Sequence, residues 1–170
     1  MDFLNKQAFT EVIDRTPLVS IDLVVENEKG EILFGLRKNR PAKDYWFVPG
    51  GVILKNETLD TAFLRLTLNE LGCEFDRSQA RLLDMYEHFY NDSVMGEQPS
   101  THYVVAGYHL KVQQDKLALP VGDQHNEYKW CEKSKVKSDK SIHKHSSDYM
   151  DAVLSIGISE ELKLLSKLYK

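Results

Sequence analysis

The sequence predicts an α/β protein in which a mixed β-sheet is held between helices, and three observations carry that expectation. Several segments alternate apolar and polar residues with the period of two that marks a strand. Helical stripes are few. The connections between strands leave little room for parallel crossovers, so a purely parallel sheet is excluded and a mixed one remains.

Taken in order, residues 5–15 (NKQAFTEVIDR) form a short amphipathic helix with Ala8, Phe9, Val12 and Ile13 on one side. Pro17 precedes a strand in which Val19, Ile21, Leu23 and Val25 alternate with Ser20, Asp22, Val24 and Glu26. Asn27-Glu28-Lys29-Gly30 turns the chain back into EILFGLR, which makes a hairpin. The polar loop KNRPAKD leads to the aromatic run YWFVPGG. A helix follows, with Thr58 as its cap, Leu59, Ala62, Phe63 and Leu66 as its apolar stripe, and Gly72 as its stop. Residues 80–90 and 102–112 read as strands around the polar loop NDSVMGEQPS, and a short strand is expected from Tyr128 to Cys131. The segment KSKVKSDKSIHKHSS reads as a polar loop, and 147–169 as one or two helices.

Composition narrows the class. With 170 residues, 42% hydrophobic and 28% charged, the chain fits a single globular domain with a sizeable core. A net charge of −4 weighs against broad nucleic-acid binding, so an anionic substrate would need cations gathered locally. Cys73 and Cys131 lie far apart and are expected to be reduced thiols. No run approaches the roughly 18 apolar residues of a membrane span, so no membrane association is expected. The opening MDFLNKQAF lacks a basic head before an apolar stretch, so no signal peptide is expected and a cytoplasmic location follows as an expectation.

Residues 51–72 carry the chemistry. Gly51 is followed six residues on by Glu57, eight further by Arg65 and five further by Glu70, across a Gly-Gly turn and a helix. A carboxylate on a helix beside such a turn offers a side-chain and a backbone oxygen to a hard cation. Mg²⁺ typically takes one or two carboxylates plus substrate phosphates. Pro49-Gly50-Gly51 allows close backbone approach, which makes the Gly50 carbonyl a candidate ligand.

This spacing resembles the Nudix box, and the resemblance implies the Nudix fold, an α/β/α sandwich with a mixed sheet. The box is depleted. Where the Nudix pattern has Glu, two other residues and Glu-Glu after the arginine, this chain has Leu66, Thr67, Leu68, Asn69 and Glu70. One carboxylate should hold one Mg²⁺, with Mn²⁺ as a substitute, and a water-activating base must come from elsewhere. Further runs are similar to the GDP-mannose mannosyl hydrolases within that superfamily: FLxxxxF, TPLVSxD, GxRxNRPAxxYWFVPGG, HFYxD, THYVV and QHxxYxW. That likeness implies attack of water at sugar C1 with inversion, releasing GDP and free hexose from GDP-mannose or GDP-glucose. It also implies a homodimer. The alternatives are a conventional Nudix nucleotide-sugar diphosphatase attacking phosphorus and a non-catalytic binding module of the same fold.

The likeness assigns roles residue by residue. His125 matches the general base, and a neutral imidazole suits that task. Gln124 matches a side-chain carbonyl ligand, so the expected metal set is Gly50, Glu70 and Gln124. Arg37 matches a diphosphate-binding arginine, for which a guanidinium fork is suited. Arg65 is expected to touch phosphate or to orient a box glutamate, and Glu57 to brace the loop. The Tyr103 hydroxyl is expected to donate to a leaving-group oxygen and Asp22 to hydrogen-bond water or sugar hydroxyls, with His88 as a further substrate contact. Phe3, Leu4 and Phe9, within an N-terminal segment 1–16 that resembles one shared across a dimer, are expected to contact the nucleotide. Val52 stands where the likeness expects arginine.

Overall fold

The computed structural model describes residues 4–120 and 125–168, the last including residues 125, 126 and 160–168 as backbone alone. Strand β1 (Leu18–Glu26) runs through the middle of the sheet and sets its layering. Ile21, Leu23 and Val25 enter a core with Ala62, Phe63, Leu66 and Leu71 on one face. Val24 enters a second core with Ile32, Phe34, Tyr149, Met150 and Val153 on the other. Apolar side chains leaving on both faces require a covering layer on each, which gives the α/β/α arrangement. The alternation seen in the sequence is present, yet its polar phase does not face solvent: Ser20, Asp22 and Glu26 are all buried.

One edge of β1 pairs in parallel with β6 (Thr101–Lys111) along its whole length, from Leu18 opposite Tyr103 to Glu26 opposite Lys111. Its other edge is shared. Strand β4 (Gly50–Val52) lies antiparallel against Ser20–Asp22, and β2 (Glu31–Arg37) joins antiparallel where Glu26 meets Ile32. Strand β2 carries β3 (Trp46–Phe47) and β7 (His125–Glu132), while β5 (Ala80–Tyr90) pairs antiparallel with β6 at the far edge. The mixed sheet is as expected, although β7 is longer than the predicted short strand.

Helix α1 (Lys6–Arg15) starts at Asn5, whose side chain accepts from the Ala8 amide at 2.9 Å, and buries Ile13. Helix α2 (Leu59–Leu71) starts at Thr58, which accepts from the Thr61 amide at 3.1 Å. It stops at Gly72, where φ is +72° and a β-carbon would lie 2.1 Å from the Ala118 carbonyl oxygen, so only glycine fits.

The segment 133–147 corrects the sequence expectation of a polar loop. It folds into α3 (Lys133–Val136) and the start of α4 (Lys144–Asp148), followed by α5 (Met150–Leu168). Val136, Ile142 and Ser146 are buried. The Trp46 amide donates to the Ser141 carbonyl and the His143 amide to the Trp46 carbonyl, both at 3.0 Å. Docking by backbone bonds with a few scattered buried residues leaves little periodicity to detect.

Candidate active site

Between the aromatic run at 45–51, strands β1, β5 and β6, and the loops after β2 and β5 lies a pocket of about 290 Å³. Its floor begins at Gly50 and Gly51, which are squeezed between strand and helix. A β-carbon on Gly50 would lie 2.5 Å from the Ile21 carbonyl oxygen and 2.7 Å from Asp22 Oδ1, and one on Gly51 would lie 2.8 Å from Leu66 Cδ2. The turn therefore presses one side against β1 and the other against α2, which only unsubstituted backbone allows.

The strands deliver the polar groups. Ser20 and Asp22 come from β1, Arg37 from the end of β2, His88 and Tyr90 from β5, and Tyr103 from β6. The β5–β6 register sets His88 directly opposite Tyr103, and the β1–β6 register sets Leu18 opposite Tyr103. Arg37 is held with its guanidinium 5.4 Å from the centre of the Phe47 ring. Asn39, Arg40 and Pro41 form the rim, where Arg40 Nη1 donates to Asp92 Oδ2 at 2.9 Å and ties the loop after β2 to the loop after β5.

Burial tunes these groups. It pushes the Asp22 carboxyl up to about 7, against the opposing pull of the Tyr149 hydrogen bond and the Arg37 charge. Burial likewise raises the Tyr103 and Tyr90 phenols, so both remain protonated donors. His88 is pushed down to about 3 by burial and then by His145 and His143, which leaves a neutral ring. Its ring stacks on His145 with centroids 4.1 Å apart.

Five of the residues singled out from the sequence thus line one pocket: Asp22, Arg37, Gly50, His88 and Tyr103. Arg65 is engaged elsewhere. Its Nε donates to Glu57 Oε1 at 2.6 Å, and its Nη2 donates to Glu57 Oε2 at 2.7 Å and to the Val52 carbonyl at 2.9 Å. Glu57 Oε2 also accepts from the Leu54 amide at 2.9 Å, so this pair braces the loop as expected of Glu57. Leu4 is exposed and Phe9 half-buried on α1, and neither is among the described residues lining the pocket. Phe3 and Gln124 lie outside the described residues. For His125 the backbone is described, and its register partner is Arg37.

Glu70 is a buried carboxylate one helical turn beyond Leu66, on the face of α2 that runs beneath Gly51. Among the described residues no group of three or more His, Cys, Asp or Glu side chains is arranged to hold a metal ion. One carboxylate and a backbone oxygen nevertheless match the hard-oxygen, low-ligand demand of a single Mg²⁺ that takes its remaining ligands from substrate phosphate. Tyr90, Arg40, His143, His145 and Tyr149 were not assigned roles from the sequence. Tyr90 and Arg40 sit inside the HFYxD and NRPA runs, which was signal enough. The other three follow from the docking of 133–150 and have no local signature.

Comparison with known proteins agrees with this geometry. The NUDIX domain family model matches residues 16–152. The low-salt glycan biosynthesis protein Agl8 of Haloferax volcanii is 36% identical over 142 residues, covering 84% of this chain and 85% of that protein. Among solved structures, a MutT NUDIX hydrolase from Burkholderia pseudomallei superposes with a TM-score of 0.67 at 22% identity, covering 82% of this chain and 99% of that one. The NUDIX domain of Shewanella oneidensis NrtR, complexed with ADP ribose, gives 0.62 at 16% identity, covering 89% and 92%. At these identities the two structures speak for the fold alone. The family match across most of the length, the Gly-Gly turn against α2 and the braced Glu57–Arg65 pair place this chain in the Nudix family.

Proposed function

We propose that the chain is a Mg²⁺-dependent nucleotide-sugar hydrolase that releases free hexose from GDP-mannose or GDP-glucose by inverting attack of water at sugar C1. The observation that carries this reading is Leu66. At the position where the Nudix box has its first carboxylate after the arginine, an apolar side chain packs into the core against Gly51. Hydrolysis at phosphorus usually leans on metal-side carboxylates, whereas departure of GDP from carbon needs charge neutralisation more than a metal-activated nucleophile.

The remaining residues fit that division of labour. Gly50, Glu70 and Gln124 would hold one Mg²⁺, which when bound neutralises charge on the diphosphate. Arg37 grips phosphate oxygens as a two-pronged donor. Tyr103, kept protonated by burial, donates to the leaving oxygen, and Asp22 orients water or a sugar hydroxyl. His125 takes the proton from water. Arg65 acts through Glu57 and the Val52 carbonyl on the shape of the loop. Phe3, Leu4 and Phe9 would reach the nucleotide from a homodimeric neighbour or from their own chain, and the binding of a glycan-pathway sugar nucleotide suits the relative named for glycan biosynthesis.

Hydrolysis of GDP-mannose in ¹⁸O-water tests the reading. The label is expected in the hexose, with GDP unlabelled. Label in phosphate, with GMP and sugar phosphate as products, would instead establish the conventional diphosphatase, and tight binding without turnover would establish a binding module.

A further inference from the structure

We propose that Tyr149 is a positioning residue for the pocket: its hydroxyl fixes the carboxylate of Asp22 from behind and so couples the C-terminal layer to the site. This rests on the reading of the pocket as the place of sugar release.

Tyr149 lies at the junction of α4 and α5, is fully buried and is not among the pocket-lining residues. Its O–H donates to Asp22 Oδ2 at 2.8 Å across a sequence separation of 127 residues. The other carboxylate oxygen, Oδ1, lies against the backbone at Gly50. With one oxygen held from behind and the other against the Gly-Gly turn, the carboxylate has one orientation toward the pocket. The ring of Tyr149 is itself locked, standing edge-on to Tyr86 with centroids 4.6 Å apart and leaving no room for a side chain at Gly107. The hydroxyl oxygen also lies 3.4 Å from His88 Nε2. With its proton given to the Asp22 carboxylate, the hydroxyl oxygen meets His88 as an acceptor when that ring carries its proton on Nε2. Asp22, Tyr149 and His88 thus form one polar chain in which the buried tyrosine orients two pocket groups. An orienting hydroxyl of this kind acts on the geometry of the reacting complex more than on the affinity of the ground state.

The test compares wild type, Tyr149→Phe, Asp22→Asn and the double variant on GDP-mannose with Mg²⁺. Phenylalanine keeps the ring and its packing and deletes only the hydroxyl. Tyr149→Phe is expected to lower kcat by about 10- to 100-fold while KM stays within about twofold. Adding it to Asp22→Asn is expected to cost little more, because the hydroxyl works through that carboxylate. Near-normal kcat, or losses that multiply in the double variant, would overturn the proposal, and so would a Tyr149→Phe chain that fails to fold, since the hydroxyl would then serve the core. If wild type releases no hexose at all, the proposed function fails on its own. Tyr149 is then judged by a crystal structure of Tyr149→Phe: a displaced Asp22 side chain supports the positioning role, and an unchanged one overturns it.

Discussion

Leu66 follows Arg65 on α2 and packs with Ala62, Phe63 and Leu71, so the metal end of the box has exchanged a charge for core. A buried carboxylate there would need a cation or hydrogen bonds to offset its desolvation, whereas leucine adds apolar contact. Under the proposed function the proton acceptor comes from another element. His125 is at the start of β7, and the register that brings its backbone opposite Arg37 puts it beside the strand end that lines the pocket. Replacing His125 with leucine is expected to lower kcat for GDP-mannose by roughly 10²- to 10⁴-fold with little change in KM. Steady-state kinetics decide this, and a near-normal kcat would remove His125 from the mechanism. Val52 is the second departure at this scale. It lines the pocket with an uncharged side chain while its carbonyl accepts from Arg65, so Arg37 and the rim residue Arg40 are the arginines among the described lining.

At the scale of elements, the 52–57 loop is joined to α2 by one bidentate pair. Arg65 holds both oxygens of Glu57 and the Val52 carbonyl, and this contact holds the Glu57 carboxyl below its usual range. Charge-assisted bonds in a fork are the strong kind, and these are partly shielded from water. Arg65→Ala is expected to destabilise the fold by about 1.5–3 kcal/mol. Arg65→Lys should recover only part of that, because an ammonium cannot match the fork. Urea unfolding measures both, and equal stability of lysine and wild type would show that charge alone suffices. This brace was legible in advance because Gly51, Glu57, Arg65 and Glu70 lie in one short stretch. Strands β1, β2, β5 and β6 and helices α1 and α2 were legible for a similar reason, since period, caps and Gly72 are local features, whereas β3 and β4 are two and three residues long, too short to show a period. In the layer covering Asp22, helix is expected at 147–169 and α5 is there, but the segment 133–147 was not legible. Its docking runs through backbone bonds of Trp46 with 141–143 and through Ser146, whose hydroxyl accepts from the Val48 amide at 3.0 Å, and none of these leaves a pattern in 133–147. Tyr149 and the histidine pair His143 and His145 went unassigned for that reason.

At the scale of the molecule, two groups of buried titratable side chains among the described residues make the fold sensitive to acid. At the far end of β1, Glu26 is buried, which alone would raise its carboxyl, but bonds from His109 at 2.8 Å and Lys133 at 2.9 Å outweigh this and bring it down to about 2. A carboxyl with a depressed folded value adds stability above its unfolded value near 4.5 and loses it as pH falls toward about 2. Beside the pocket, burial and neighbouring imidazoles push His88 down to about 3 and His143 down to about 4. Below the ordinary histidine value of 6.5 the unfolded chain takes up protons that these folded rings refuse, so stability falls from pH 6.5 downward through those values. The histidine window therefore opens first, and Glu26 joins only in stronger acid. His88 is nearly inaccessible at 4% exposure and should dominate the first window. Asp22 works against the histidines: its folded value of about 7 lets the native chain hold a proton that the unfolded chain releases above about 3.8, so this carboxyl adds stability as pH falls from about 7. The histidine loss is therefore read from urea midpoints between pH 8 and pH 4 as the difference between wild type and His88→Gln, with His88 contributing about 3 kcal/mol by pH 4. His88→Gln, which carries no titrating ring, should lose less stability than wild type over that range, with His143 left to carry part of the loss and the Glu26 loss below pH 4.5 still in place. An unchanged slope in the variant would mean that His88 takes up its proton within the folded protein, and that the ring stack with His145 opens to water.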